Sequence, residues 1–185
     1  VYNSSHLFGF FSVFNQDAVK DVKIFKGGIP AMYGGRLSSL LDIRMKEGNM
    51  KQFQASGGIG LISSRLTMEG PIIKDKASFL LSGRRTYFDL FFPIFEKNNP
   101  ALKDAKVFFY DLNGKINYKI NDNNRIFLSA YWGDDVMRFS EDFQTTYGNK
   151  TVTLRHNHLF SPKLFSNVTL IYSNFDYGLG IPEGA

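Results

Sequence analysis

The stretch Val107-Phe108-Phe109-Tyr110-Asp111-Leu112-Asn113-Gly114-Lys115-Ile116-Asn117-Tyr118-Lys119-Ile120 changes chemistry at almost every step. Successive side chains of a β-strand point to opposite sides. Phe108, Tyr110, Leu112, Gly114, Ile116, Tyr118 and Ile120 therefore share one face, while Asp111, Asn113, Lys115, Asn117 and Lys119 share the other. One face is apolar and the other is wet. Such alternation also suits a soluble sandwich with one solvated face, so strand length has to decide. A soluble strand is usually about 5–6 residues long. A tilted strand crossing a bilayer needs about 9–11, and 107–120 is long enough for that.

Working outward, the same pattern predicts strands at 52–60, 62–71, 77–89, 106–120, 125–138, 150–160 and 165–177. Phe127, Leu80 and Ile171 fall on the polar side, and Arg85 on the apolar side, as exceptions. Pro71-Ile72-Ile73-Lys74-Asp75-Lys76, Asn121-Asp122-Asn123-Asn124 and Ser161-Pro162-Lys163 are short turns. Long loops are expected at 90–105 and 139–149, and a short link near Gly60-Leu61 interrupts that order. Short turns at one end and long loops at the other are the arrangement of outer-membrane barrels.

Composition excludes several alternatives. No apolar run reaches the length of about 20 residues that a spanning helix needs, so any membrane residence must be by strands. The 16% aromatic content, carried by 19 Phe and 9 Tyr, suits a barrel wall with aromatic girdles. The formal charge is +5, but its lysines and arginines are scattered, with Arg84-Arg85 the only adjacent pair; a solvated face explains them better than nucleic acid. There is no cysteine, hence no disulfide framework and no thiolate site. No cofactor is expected: phosphate loop and nucleophile elbow are missing, and Gly58-Ile59-Gly60 lacks the third glycine of a dinucleotide fingerprint. His156 and His158 share one strand face without a third metal ligand, Asp134-Asp135 and Glu141-Asp142 read as solvated loop charges, and His6 stands alone. The sequence starts at a valine with no leader, and the expectation is a fragment.

Residues 1–50 have another texture. Asn15 caps a short helical turn over 16–20, with Asp17 near its positive end. A strand follows from 21 to 26. Gly27-Gly28 and Gly34-Gly35 supply tight turns around Pro30, and a second strand through Leu41, Ile43 and Met45 ends at Gly48-Asn49. This is a compact mixed α+β unit.

Asn3-Ser4-Ser5-His6-Leu7-Phe8-Gly9, Phe14-Asn15, Lys26-Gly27-Gly28-Ile29-Pro30-Ala31-Met32-Tyr33-Gly34-Gly35-Arg36-Leu37-Ser38-Ser39 and Leu41-Asp42-Ile43 resemble the end of the plug of a TonB-dependent outer-membrane receptor. The likeness is closest to receptors of the Bacteroidetes type, which include the SusC-like transporters. In the wider family an arginine, a glycine and a proline usually stand where this chain has Lys26, Gly27 and Gly28. Glu69-Gly70-Pro71-Ile72 and Ser82-Gly83-Arg84-Arg85-Thr86-Tyr87 resemble the opening barrel strands.

The resemblance implies a mainly β chain: residues 1–50 as the C-terminal part of a small α+β plug, and 51–185 as about seven strands of a transmembrane antiparallel β-barrel that has about 22 when whole. It implies a non-enzyme in the bacterial outer membrane that imports a nutrient (a glycan, peptide or metal chelate). Its partners would be outer-membrane lipid, TonB acting through an upstream segment, and a SusD-like surface lipoprotein. It also implies basic plug residues set against acidic wall residues, with Arg36 and Glu69 as the latch candidates and Lys26 as the alternative base; Arg84 competes for Glu69 as a neighbour within the wall. The rival reading is a soluble or surface-attached β-sandwich that binds carbohydrate on exposed aromatic rings.

Overall fold

The computed structural model describes residues 5–31, 33–35, 38–96, 105–140 and 143–180. Seven strands form one antiparallel sheet in sequence order: β5 (Gln54–Ile59), β6 (Ser63–Ile73), β7 (Ala77–Thr86), β8 (Lys106–Asn121), β9 (Asn124–Ser140), β10 (Phe143–Ser161) and β11 (Leu164–Gly180). Two small hairpins precede it, β1 (Ser5–His6) with β2 (Phe11–Ser12) and β3 (Val19–Phe25) with β4 (Leu40–Met45). A single large sheet departs from the sandwich reading, which needs two packed face to face.

The face assignment of β8 holds. On the outer face Leu112 is 51% exposed and Ile116 43%, while on the inner face Asp111 and Phe109 are fully buried. Register carries this division across the sheet, since directly paired residues share a face: Asp111 pairs with Arg84 and Gly133, and Leu112 with Gly83 and Trp132. The burial is inside out relative to a soluble domain. Asp111, Asn117, Ser78 and Thr86 are buried, while Leu128, Leu154, Leu170 and Tyr172 are exposed.

The sequence exceptions have local causes. Phe127 is buried on the inner face under the Lys115 and Arg155 cations, 5.7 and 4.5 Å from its ring. Leu80 is buried on the inner face, where it lines a cavity with Val13. Arg85 lies outside over the Phe108 ring. Ile171 stays exposed on the edge strand β11.

One expected loop is strand. Residues 139–149 do not form a long connection, because β9 and β10 remain paired up to Phe143 and Ser140. Thr145 and Asn149 are buried on the inner face, and Tyr147 packs on a cluster of Leu7, Phe109 and Met137, so the N-terminal unit holds this part of the ladder in extended form. The other long connection carries a 3-10 turn (Phe88–Phe91) and a short helix α1 (Phe92–Glu96).

Candidate functional site

The inner face of β7 presents Ser78, Leu80, Ser82, Arg84 and Thr86 in alternation, and the N-terminal unit docks along this row. At its upper end Arg84 donates to the Ser12 carbonyl at 2.6 Å and to Asp111 Oδ2 from both Nε and Nη2, at 2.7 and 2.6 Å. At mid-height Asn15, itself buried, donates to Ser82 Oγ at 2.7 Å, and Ser82 bonds Thr67 Oγ1 at 2.9 Å. Asn15 also accepts from the Asp17 N–H, capping the 3-10 turn Gln16–Ala18 as its residue type predicts. Lower down, Ser78 Oγ donates to the Glu47 carbonyl at 2.9 Å. The wall thus reads the N-terminal unit partly through its backbone.

His6 is the centre of the upper contact. It is 3% exposed. Its Nδ1 bonds Asp135 Oδ1, and its Nε2 lies 3.2 Å from Tyr131 Oη and 3.6 Å from Asp111 Oδ2. The imidazole stacks on Phe109, with centroids 4.1 Å apart and planes within 6°, and Arg84 lies 4.9 Å from that same ring. Asp135 Oδ2 accepts from the Leu7 N–H at 2.8 Å. Leu7 takes φ 48 to make this turn, a left-handed conformation that costs a branched residue about 1–3 kcal/mol and persists only where neighbours over-determine it. Here its side chain is buried against Phe109 and Met137. Asp111 Oδ1 has no hydrogen-bond partner among the described residues, although the residue is wholly buried.

Sequence reasoning missed His6, Asp111 and Asp135 as a site. His6 was expected to stand alone, and it does not: the two carboxylates that hold it lie 105 and 129 positions away in sequence (111 − 6 and 135 − 6). Only their inward parity was readable. Asp134 and Asp135 are strand residues rather than loop charges, and they face opposite ways. Asp134 points out to Tyr110 Oη and Trp132 Nε1, at 2.5 and 2.6 Å. Glu141-Asp142 lie outside the described residues. His156 and His158 sit on the outer face and both contact Asn124 Oδ1.

Of the predicted latch, Glu69 is on the inner face beside Gln54 and Leu80. Arg36 lies outside the described residues. Lys26 is exposed just beyond β3. Among the described residues neither Glu69 nor Lys26 has an opposite charge within ion-pair distance, and Arg84, the competing base, is engaged by Asp111 and Ser12. Besides the His6 contacts to Asp111 and Asp135, two ion pairs among the described residues cross from unit to wall with the opposite polarity, wall Arg65 to Asp17 at 2.8 Å and wall Arg125 to Glu47 at 4.0 Å. Of the turn glycines, Gly28 and Gly35 adopt left-handed φ of 57 and 74, Gly27 is near-extended at 158, and Gly34 keeps an ordinary φ.

Between unit and wall lies a polar cavity of about 670 Å³, bordered by Asp42, Arg44, Glu47, Lys115 and Arg155. Two wall atoms here, Asn113 Nδ2 and Arg155 Nε, have no hydrogen-bond partner among the described residues.

The architecture is that of a partial β-barrel with a small mixed unit packed on its inner face. In line with this, the chain is similar in structure to the siderophore receptor PirA from Acinetobacter baumannii, with a TM-score of 0.64 at 18% sequence identity, over 87% of this chain. The chain spans 27% of that receptor. No family model and no curated protein matches the sequence.

Proposed function

We propose that the chain is the plug end (1–50) and first wall strands (51–185) of a TonB-dependent outer-membrane transporter, in which the N-terminal unit blocks the lumen until it is moved. The observation that carries this reading is the inside-out burial: an apolar outer face with a polar inner face on which the unit is docked. In lipid the wall's backbone groups are satisfied by strand pairing, as a spanning β-structure requires. The function is binding and transport without catalysis. The likeness to a siderophore receptor favours a metal chelate as nutrient, and the SusC-like sequence features favour a glycan or peptide. A SusD-like lipoprotein would then be the surface partner.

The docking contacts are of a kind that permits movement. Hydrogen bonds to Ser12 O, Ser82 and Glu47 O can be exchanged for water, each at a net cost of about 0.5–1.5 kcal/mol. The Arg36–Glu69 latch belongs to the same reading, with Glu69 on the inner wall awaiting a plug cation.

This chain contributes no cysteine, so an introduced pair locks the plug once any cysteine elsewhere in the receptor is replaced by serine. Cells carrying the whole receptor with Asn15→Cys and Ser82→Cys are offered a ferric chelate, an oligosaccharide or a peptide as sole source. One of the three should support growth only when TonB is present and the disulfide is reduced. Equal growth without TonB, or with the bridge closed, rejects the transporter reading.

A further inference from the structure

We propose that the cavity between the N-terminal unit and the wall is a seat for an acidic nutrient, with Lys115, Arg155 and Lys20 holding its carboxylate, sulfate or phosphate group. The inference deepens the transporter reading above, on which it rests for the anion being cargo. Lys20, Arg44, Lys115 and Arg155 line this space together with Asp21, Asp42 and Glu47. Each of the three carboxylates already has a cation: Asp42 lies 3.5 Å from Arg44, Asp21 4.0 Å from Lys23, and Glu47 4.0 Å from Arg125. Among the described residues Lys20, Lys115 and Arg155 have no carboxylate within ion-pair distance. The uncompensated charge of the cavity is therefore positive.

Register sets the cations together. Arg155 stands directly opposite Phe127, and Lys115 opposite Ser129, two residues along β9 on the same inner face. Both cations therefore lie over the one Phe127 ring, Arg155 at 4.5 Å and Lys115 at 5.7 Å. The negative face of the ring attracts each cation and neutralises neither. Glu47 is the carboxylate that acts on Lys115, and Arg155 and Lys20 together oppose it. Two donors lining the same cavity, Arg155 Nε and Asn113 Nδ2, are shut off from solvent without an acceptor among the described residues, although buried donors are normally paired. An oxyanion supplies what is missing, because it accepts several hydrogen bonds and a guanidinium offers it a fork of donors. Ser129, Thr151, Thr153 and Thr169 bring short hydroxyl groups to the rest of the lining, which suits a polar body behind the anionic group. The volume of about 670 Å³ is of the size that takes a small molecule.

The test measures binding to the whole receptor, purified in detergent, by calorimetry at constant ionic strength with glucuronate, inorganic phosphate and glucose as probes. Glucuronate or phosphate should bind and glucose should not. Tighter glucuronate marks an acidic sugar as the source of the anion, and tighter phosphate marks a phosphate-bearing molecule. Lys115→Gln and Arg155→Gln should each weaken the anion about tenfold, as loss of one charged hydrogen bond does, while Lys115→Arg keeps it. Asn113→Asp should abolish binding by giving the cations a carboxylate of their own. Lys74→Gln, exposed in the turn after β6, should change nothing. Each variant is first checked for native resistance to unfolding in detergent on gels, and the nearly isosteric Asn113→Asp decides the matter if a glutamine variant fails that check. Absence of anion binding, binding that survives Asn113→Asp, or equal weakening by Lys74→Gln overturns the seat. None of these measurements involves TonB, so their failure leaves the transporter reading to the growth test above; anion binding at the seat without TonB-dependent growth keeps the site and overturns its role for cargo.

Discussion

His6 shows how one residue can join two parts of a fold. Its ring separates Asp111 from Asp135 and gives each a polar neighbour. His6→Ala leaves two buried carboxylates facing one another, and a buried group deprived of its partner costs about 1–3 kcal/mol. The N-terminal unit should then loosen from the wall, seen as faster proteolysis within 5–50 while the strands stay protected. Leu7 adds to the sensitivity, because its left-handed backbone is held by Asp135 and by packing on Met137. The proposed Arg36–Glu69 latch makes a different prediction. Glu69→Ala should raise resting permeability to a large antibiotic without preventing assembly, and a double-mutant cycle with Arg36→Ala should show coupling. Strictly additive effects would remove the latch.

Each strand of the wall sorts its residues into two solvents, and charge should separate them. Leu112 and Leu128 are exposed on the outer face, and on the proposed membrane reading an arginine there costs about 2–4 kcal/mol near the bilayer midplane. Leu112→Arg and Leu128→Arg should therefore impair assembly. Asn113→Arg and Ser129→Arg point into the polar cavity and should assemble normally, as judged by resistance to unfolding in detergent on gels. Equal behaviour of the two pairs would invert the face assignment. Between β4 and β5 the chain crosses to the wall at Gly48, which has φ 84 and lies so close to β7 that an added Cβ would collide with the Phe79 carbonyl oxygen. Gly48→Ala should disturb the Ser78–Glu47 contact and accelerate hydrogen exchange in β4, with little effect on β9 to β11.

Among the described residues the sheet has unpaired edges at β5 and β11 and an apolar outer face. Such edges and patches pair with whatever is available. The 185-residue chain should therefore aggregate without detergent or lipid and disperse with it, by size-exclusion chromatography. A monodisperse form in plain buffer with a cooperative melt would count heavily against the membrane reading.

Period-two alternation was enough to place all seven wall strands and the faces of β8, because that pattern is a local property of an extended chain. Asn15 likewise declared its cap from residue type and position, whereas β4 ends at Met45, short of the expected stop at Gly48-Asn49. Alternation could not reveal where strands end under tertiary support, so 139–149 read as loop until Tyr147 and Thr145 were seen against the N-terminal unit and inner face. Nor could it pair His6 with Asp111 and Asp135, or explain Phe127 and Leu80 on the polar side. Those depend on which inner-face residues lie opposite a docked unit and which stand in the cavity beside it. Periodicity names the face of a side chain, and only the packing of distant segments names its neighbour.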